Sequence, residues 1–383
     1  MTAPPPSPVT ATRSRRLAGL DGIRALAALY VVADHVFLRS FHGYPADHAP
    51  FWAAWLIYGR FAVVVFIVLS GFSLALSPAR HGWRLRSASV FAQRRAWRIL
   101  PAYWAALAFS LVVAWLVIPQ PGHGMPDARS VVVNGLLVQN LVAAHSPNAA
   151  FWTLAVEAQL YLLFPLMLLL ARRRGAVAMA ATVTLIIAAV GIAGPHIRGV
   201  NTLVLQSPPD LAALFAVGIL AAGIVSAGES RRSWPWTWLA LGAVAPVLAV
   251  VWWRGSVWTV HHLFWVDLSL GPAVACLLAA LATGPRVRLL RVLDARPVRR
   301  LGSFSYSLYL THAPIVAIVC QRIVAGRVAP GVPFFLVSLA LVLPLTIGFA
   351  RIFAALFELP FQHRRGLPGA GLRRHPPVQG APA

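Results

Sequence analysis

Ten apolar runs, each long enough to cross a lipid bilayer, constrain this chain more than any other feature. A membrane-spanning helix needs about 20 apolar residues, because the hydrocarbon core is about 30 Å thick. The sequence therefore predicts an all-α integral membrane protein with about ten transmembrane helices. The runs occupy residues 17–38, 59–77, 99–118, 150–171, 176–194, 209–227, 236–253, 263–283, 302–322 and 333–357.

Composition excludes the other broad classes of chain. Hydrophobic residues make up 59% of the sequence and charged residues 11%, whereas a soluble domain carries roughly a quarter charged residues. A soluble fold could not bury this much apolar surface, and intrinsic disorder requires low hydrophobicity. Cys276 and Cys320 both lie inside apolar runs, so no disulfide framework is expected.

The distribution of the arginines predicts how the chain crosses the membrane. All 33 basic residues are arginines, and with 10 acidic residues they give a net charge of +23. Such a charge can indicate a nucleic-acid partner, but these arginines cluster between the apolar runs, so no nucleic acid is expected. With ten crossings, 24 arginines fall on one side, six on the other and three within the runs. The positive-inside rule then places both termini in the cytoplasm.

The composition of the two ends of the chain predicts the boundaries of the folded domain. Residues 1–16 are rich in Pro and Thr, and residues 361–383 are rich in Arg, Gly and Pro, so both are predicted to be disordered cytoplasmic tails. One transmembrane domain is predicted between them, over residues 17–360. A short eleventh run at 131–143 is rejected, because counting it would move every later arginine cluster to the opposite side.

Ionisable residues inside the runs are candidates for a functional site, because burying them in a bilayer is costly. Arg24 and His35 are eleven residues apart, so they project from one helix face about 16 Å apart along its axis. Asp21 can pair with Arg24, and His35 taken alone could be an interfacial or hydrogen-bonded structural histidine. Asp34 projects about 100° around the helix from His35, so it is a poor partner for it. Glu157 is predicted at a depth similar to that of His35. It could orient a histidine that acts as general base, or it could belong to a structural ion pair with Arg24, Arg60 or Arg351.

Other polar residues in the runs fit either a site or packing. Ser305, Tyr309 and His312 share one helix face, which suits a ligand site or helix–helix hydrogen bonding. Ser70 and Gly71 allow a close approach of backbone or ligand, and packing is the simpler interpretation for them.

Two arginines, Arg95 and Arg98, precede the third run on the predicted cytoplasmic side. Pro101 suits the first turn of the following helix. Arginines beside a helix N-terminus can bind phosphates, and anchoring of the chain by positive charge is the alternative.

Five of these segments, in this order, resemble the membrane acyltransferase-3 family across residues 17–360. They read LDGIRALAALYVVADH, FIVLSGF, RRAWRILPAYW, WTLAVEAQLYLLFPL and GSFSYSLYLTHAPI. The resemblance implies a ten-helix membrane enzyme that moves an acyl group, often acetyl, from acyl-CoA to a hydroxyl. The implied acceptor is a carbohydrate or glycosylated molecule, such as a surface polysaccharide or a macrolide.

The resemblance also implies roles for individual residues. His35 is the expected catalytic histidine, and Glu157 is predicted as the second catalytic residue. Asp34 departs from the family pattern, in which the residue before the histidine is usually uncharged. Substrate-binding roles are predicted for Arg24, Arg95, Arg98, Ser70, Tyr309 and His312.

The expected partners are acyl-CoA as co-substrate, the acceptor and the lipid bilayer. The bilayer is expected to be a bacterial cytoplasmic membrane. No bound cofactor is expected, because nucleotide-binding glycine motifs are missing, and no metal, because His261, His262 and Asp267 resemble a metal cluster only weakly. A transporter or flippase for an acyl or glycolipid species would use the same polar path without covalent chemistry. A lipid-linked glycosyltransferase is a third option, weakened by the lack of paired carboxylates in the loops.

Overall fold

The computed structural model places long helices at all ten predicted positions. It describes residues 19–42, 49–122, 124–142, 144–197, 208–228, 234–283 and 288–362, and within these ranges it contains helices and no β-strand. The tails predicted at 1–16 and 361–383 lie outside the described residues, apart from the last two residues of the final helix. The ten helices are α1 (Leu20–Ser40), α2 (Arg60–Arg80), α3 (Ala88–Leu116), α4 (Phe151–Arg174), α5 (Ala176–Ala193), α6 (Asp210–Ser226), α7 (Trp236–His261), α8 (Leu263–Thr283), α9 (Ser305–Ile318) and α10 (Val332–Phe353).

Eight of the helices in these ranges are long and apolar enough to cross a membrane. The prediction of an all-α integral membrane protein is therefore confirmed. Helix α1 falls outside the eight because it carries Asp21, Arg24, Asp34 and Arg39, and α6 because it has only 17 residues. The number of crossings and the cytoplasmic position of both termini stay predictions.

The segment around the rejected eleventh run contains a short helix, Ala128–Gly135. Its eight residues span about 12 Å, too little to cross the hydrocarbon core. Short helices also occur at Phe51–Ala54, Arg288–Leu293, Arg296–Ser303 and Leu359–Gln362. Helices α9 and α10 continue as π-helices over Val319–Val324 and Ala354–Glu358.

Helix α3 begins a full three turns earlier than the sequence predicts. Ser87 caps its N-terminus by accepting a hydrogen bond from the backbone N–H of Val90. Pro101 therefore lies inside α3, and its predicted place in the first turn is wrong. The residues before it include good helix formers such as Ala, Gln and Arg, and transmembrane helices tolerate an internal proline. As a result, Arg95 and Arg98 lie along the helix rather than beside its N-terminus.

Two glycines bring the backbones of α2 and α6 into close contact. A Cβ atom on Gly71 would collide with the backbone carbonyl of Phe215, and one on Gly218 would collide with that of Val68. Small residues at a helix crossing permit this approach in membranes. The packing interpretation of Gly71 is confirmed, and α6 is fixed against α2.

Helix α1 packs against α2, α9 and α10. Val32, Val36 and Phe37 are fully buried among these neighbours. This packing turns the C-terminal half of α1, which carries His35, toward α9. It also places that half beside the N-terminal ends of α2 and α4.

We predict that α6 crosses the membrane despite its length, because a short helix can be accommodated by local thinning of the bilayer. Reporter fusions at Ile197, before α6, and at Ala227, after it, should lie on opposite sides. A fusion at Gly175 is the control and should lie on the same side as the fusion at Ala227. A shared side for Ile197 and Ala227 would contradict the ten-crossing topology.

Candidate active site

Two histidines from different helices contact each other where α1 and α9 meet. Nδ1 of His35 lies 2.7 Å from Nε2 of His312, and the two rings stack with an angle of 15° between their planes. His312 is fully buried, and its Nδ1 lies 2.8 Å from the backbone carbonyl oxygen of Tyr309. The sequence predicts both histidines as site residues but gives no sign that they touch.

The partners of these rings assign the protons on their nitrogens. A backbone carbonyl only accepts hydrogen bonds, so Nδ1 of His312 carries a proton and donates it to Tyr309. The other nitrogen of a neutral imidazole is then an acceptor, so Nε2 of His312 accepts the Nδ1–H of His35. His35 is left with an unprotonated Nε2, which is the atom that a general base needs.

His35 borders a partly open cavity of about 150 Å³. The walls come from the C-terminal half of α1, the N-terminal ends of α2 and α4, and α9. The predicted topology puts this end of the bundle on the outer side of the membrane. The polar and aromatic residues that line the cavity with His35 are Asp34, Arg60, Trp152 and Tyr309.

Tyr309 joins the wall of this cavity to α4. The hydroxyl of Thr153 donates to the backbone carbonyl of Ala150 and lies 2.7 Å from the hydroxyl of Tyr309. Because the Thr153 proton is already used, the Tyr309 hydroxyl is the donor of this pair. Tyr309 thus lines the cavity, while its backbone carbonyl orients His312.

Glu157 lies one helical turn beyond Thr153, in a separate polar cluster. Its Oε1 accepts hydrogen bonds from Ser70, at 2.8 Å, and from Tyr161. No hydrogen bond between described residues joins Glu157 to His35. An orienting role for Glu157 stays a prediction, and the hydrogen bonds favour His312 for that role.

Three predicted arginines gather toward the opposite end of the bundle. Arg24 pairs with Asp21 at 3.0 Å, as the sequence predicts. Arg95 interacts electrostatically with Glu157, and its buried Nε has no hydrogen-bond partner in the described part of the chain. Arg98 is exposed and close enough to Arg24 to interact with it electrostatically. Like charges this close favour an anionic ligand.

One ion-pair cluster beside the cavity was not predicted from the sequence. Arg60 Nη2 lies 3.1 Å from Asp210 Oδ2, and Arg60 Nε is bonded to Asp267 Oδ2. Both aspartates are fully buried. The suggestion that Arg60 pairs with Glu157 is therefore wrong. A usable signal existed, because Asp210 and Asp267 each lie within about a turn of the outer end of an apolar run.

The fold and this site define a multi-pass membrane protein with a histidine pair beside a cavity at one end of the bundle and a cationic cluster toward the other end. A family profile described as an acyltransferase domain matches residues 17–351. The chain belongs to this family, the acyltransferase-3 family that the ordered motifs resemble.

Two named relatives extend this finding. The chain is 26% identical over 337 residues to the O-acetyltransferase OatA of Staphylococcus aureus, covering 82% of this chain and 53% of OatA. It is 29% identical over 324 residues to the acyltransferase MdmB of Streptomyces mycarofaciens, covering 79% of each protein. The chain thus spans about half the length of OatA. No solved structure matches it.

Proposed function

We propose that this chain is an integral membrane O-acyltransferase that moves an acyl group, often acetyl, from acyl-CoA to a hydroxyl of a carbohydrate or glycosylated acceptor. One observation carries the proposal: His35 lines a cavity and its Nδ1 is hydrogen-bonded to His312, an arrangement that leaves its Nε2 unprotonated in the tautomer assigned above. The family match and the names of both relatives support the reaction class. They do not favour the transporter alternative.

In the proposed reaction, His35 acts as general base. Its Nε2 takes the proton of the acceptor hydroxyl while the hydroxyl oxygen bonds to the thioester carbonyl carbon. The tetrahedral adduct then collapses, the carbon–sulfur bond breaks, and the CoA sulfur leaves with the proton returned by His35. His312 accepts the Nδ1–H of His35 throughout, so the imidazolium that forms keeps its orientation.

The two substrates are proposed to arrive from opposite sides of a bacterial cytoplasmic membrane. The phosphates of acyl-CoA would bind Arg24, Arg95 and Arg98 from the cytoplasm. About 16 Å along α1 separate Arg24 from His35, a distance that the extended pantetheine arm can bridge. Glu157, with Ser70 and Tyr161, lies between these ends. The acceptor would enter the cavity from outside.

The histidine pair gives a first test. His35→Ala should lower kcat by roughly 10²- to 10⁴-fold, the usual loss when a general base is removed. His312→Ala should lower kcat on the order of 10²-fold by misplacing the base, with little change in KM. His312→Gln should recover part of the rate, because an amide oxygen can accept the Nδ1–H of His35. Steady-state kinetics on purified protein measure all three.

Three results would count against this assignment. A nearly normal kcat for His35→Ala would show that His35 is not the general base. Equal rates for the Ala and Gln variants of His312 would leave that residue only a packing role. A loss of kcat in Glu157→Gln as large as that in His35→Ala would indicate that Glu157, rather than His312, orients His35.

The arginine cluster gives a second test. If Arg95 and Arg98 bind the CoA phosphates far from the reacting bond, they act equally in the ground and transition states. Each Ala substitution should then raise KM for acyl-CoA roughly tenfold to a hundredfold, from a lost charged hydrogen bond of about 1.5–3 kcal/mol, with kcat little changed. Arg94→Ala, an exposed arginine on the same helix, is the matched control. An unaltered KM in the Arg95→Ala, Arg98→Ala double variant would refute phosphate binding.

A further inference from the structure

The cavity beside His35 contains a charged group that the proposed reaction does not use. Arg60 lines the cavity at the start of α2, and its guanidinium is held by Asp210 of α6 and Asp267 of α8. Ion pairs to two different nitrogens fix the planar guanidinium in one orientation. A fixed donor therefore lines the same cavity as the proposed base.

Arg60 retains hydrogen-bonding capacity after these contacts. The aspartates engage Nε and Nη2, and Nη1 has no partner among the described residues. Its side chain is 22% exposed, and its guanidinium carbon lies 5.4 Å from the centre of the Trp152 ring. Arg60 is thus held by protein on one side and accessible on another.

Asp34 supplies the complementary acceptor in the same cavity. It is nearly buried, and it accepts a hydrogen bond from the backbone N–H of Gly59. A carboxyl group carries lone pairs on both oxygens, so capacity remains for a ligand. The cavity therefore combines a fixed donor, a carboxyl group that can accept, an aromatic ring and the proposed base His35.

We infer that this cavity is the acceptor subsite and that it binds the hydroxyl-bearing edge of an uncharged sugar ring. The inference rests on the proposed function. Arg60 donates to one sugar oxygen, Asp34 accepts from a neighbouring hydroxyl, and the reacting hydroxyl meets Nε2 of His35. Since a water occupies about 30 Å³ in the liquid, a cavity of about 150 Å³ admits part of one ring rather than an oligosaccharide.

Charge argues against an anionic acceptor. The positive charge of Arg60 is already balanced by Asp210 and Asp267, so this guanidinium serves as a hydrogen-bond donor rather than an anion receptor. Asp34 adds a third carboxyl group. A sugar with its own carboxylate would lose its hydration in a partly desolvated site that offers it no uncompensated positive charge.

The test compares two probes that differ by one carboxylate, methyl glucoside and methyl glucuronide. Binding to the full-length protein in lipid nanodiscs is measured by titration with saturation-transfer NMR, which does not require acyl transfer. The wild type should bind the glucoside at least tenfold more tightly than the glucuronide. Equal affinities, or no glucoside binding, would overturn the inference.

Two conservative variants locate the subsite. Arg60→Lys keeps a charge for the aspartates but loses the planar fork, and Asp34→Asn keeps the size of the side chain. Each should weaken glucoside binding about tenfold, or about 1.4 kcal/mol, and leave acyl-CoA binding unchanged, which also shows that the variant folds. Ser269→Ala, on the exposed face of the helix that carries Asp267, is the matched control.

CoA release in the presence of the glucoside separates the two claims. If both variants lose glucoside binding but even the wild type releases no CoA, the subsite stands and the proposed function fails. If the wild type transfers acyl groups and both variants bind the glucoside as tightly as it does, the subsite is overturned and the proposed function stands.

Discussion

The hydrogen bond between His35 and His312 determines what chemistry this helical bundle can support. A buried polar ring needs a partner, and here each partner also fixes a proton. The carbonyl of Tyr309 orients His312, and His312 in turn orients His35. This chain of contacts requires α1 and α9 to be in contact at one depth. The packing of α1 against α2, α9 and α10 therefore serves the site directly.

The polar groups elsewhere in the bundle form two regions, one at the cavity end and one toward the other end of the bundle. At the cavity end, Arg60 joins α2 to α6 and α8 through Asp210 and Asp267, and the glycine contacts between α2 and α6 hold the same helices together. Toward the other end, Glu157 and the arginines form a second polar region. In the proposed function, acyl-CoA and the hydroxyl-bearing acceptor can thus reach His35 through different entrances.

The sequence predicted the ten helices well because their signal is local. Length and hydropathy identify all ten apolar runs, including the charged first one. The start of α3 was missed, because the first three turns of the helix are polar and Pro101 resembles a first-turn proline. The contacts of the site were less predictable. Counting residues along α4 gives the depth of Glu157 only for untilted helices, and the structure shows that Thr153, one turn earlier, bonds to Tyr309. Which helix faces meet depends on packing, so the pairing of the histidines was not visible. The positions of Asp210 and Asp267 along their runs indicated a depth similar to that of Arg60 but not that the three residues pair.

The protonation of the histidine rings tests the proposed chemistry most directly. Nitrogen-15 NMR of histidine-labelled protein in nanodiscs near neutral pH distinguishes the two tautomers, and substitution of His35 or His312 assigns their signals. The hydrogen-bond partners of the two rings predict that both are neutral, protonated at Nδ1 and unprotonated at Nε2. A proton on Nε2 of His35 would contradict its role as the base.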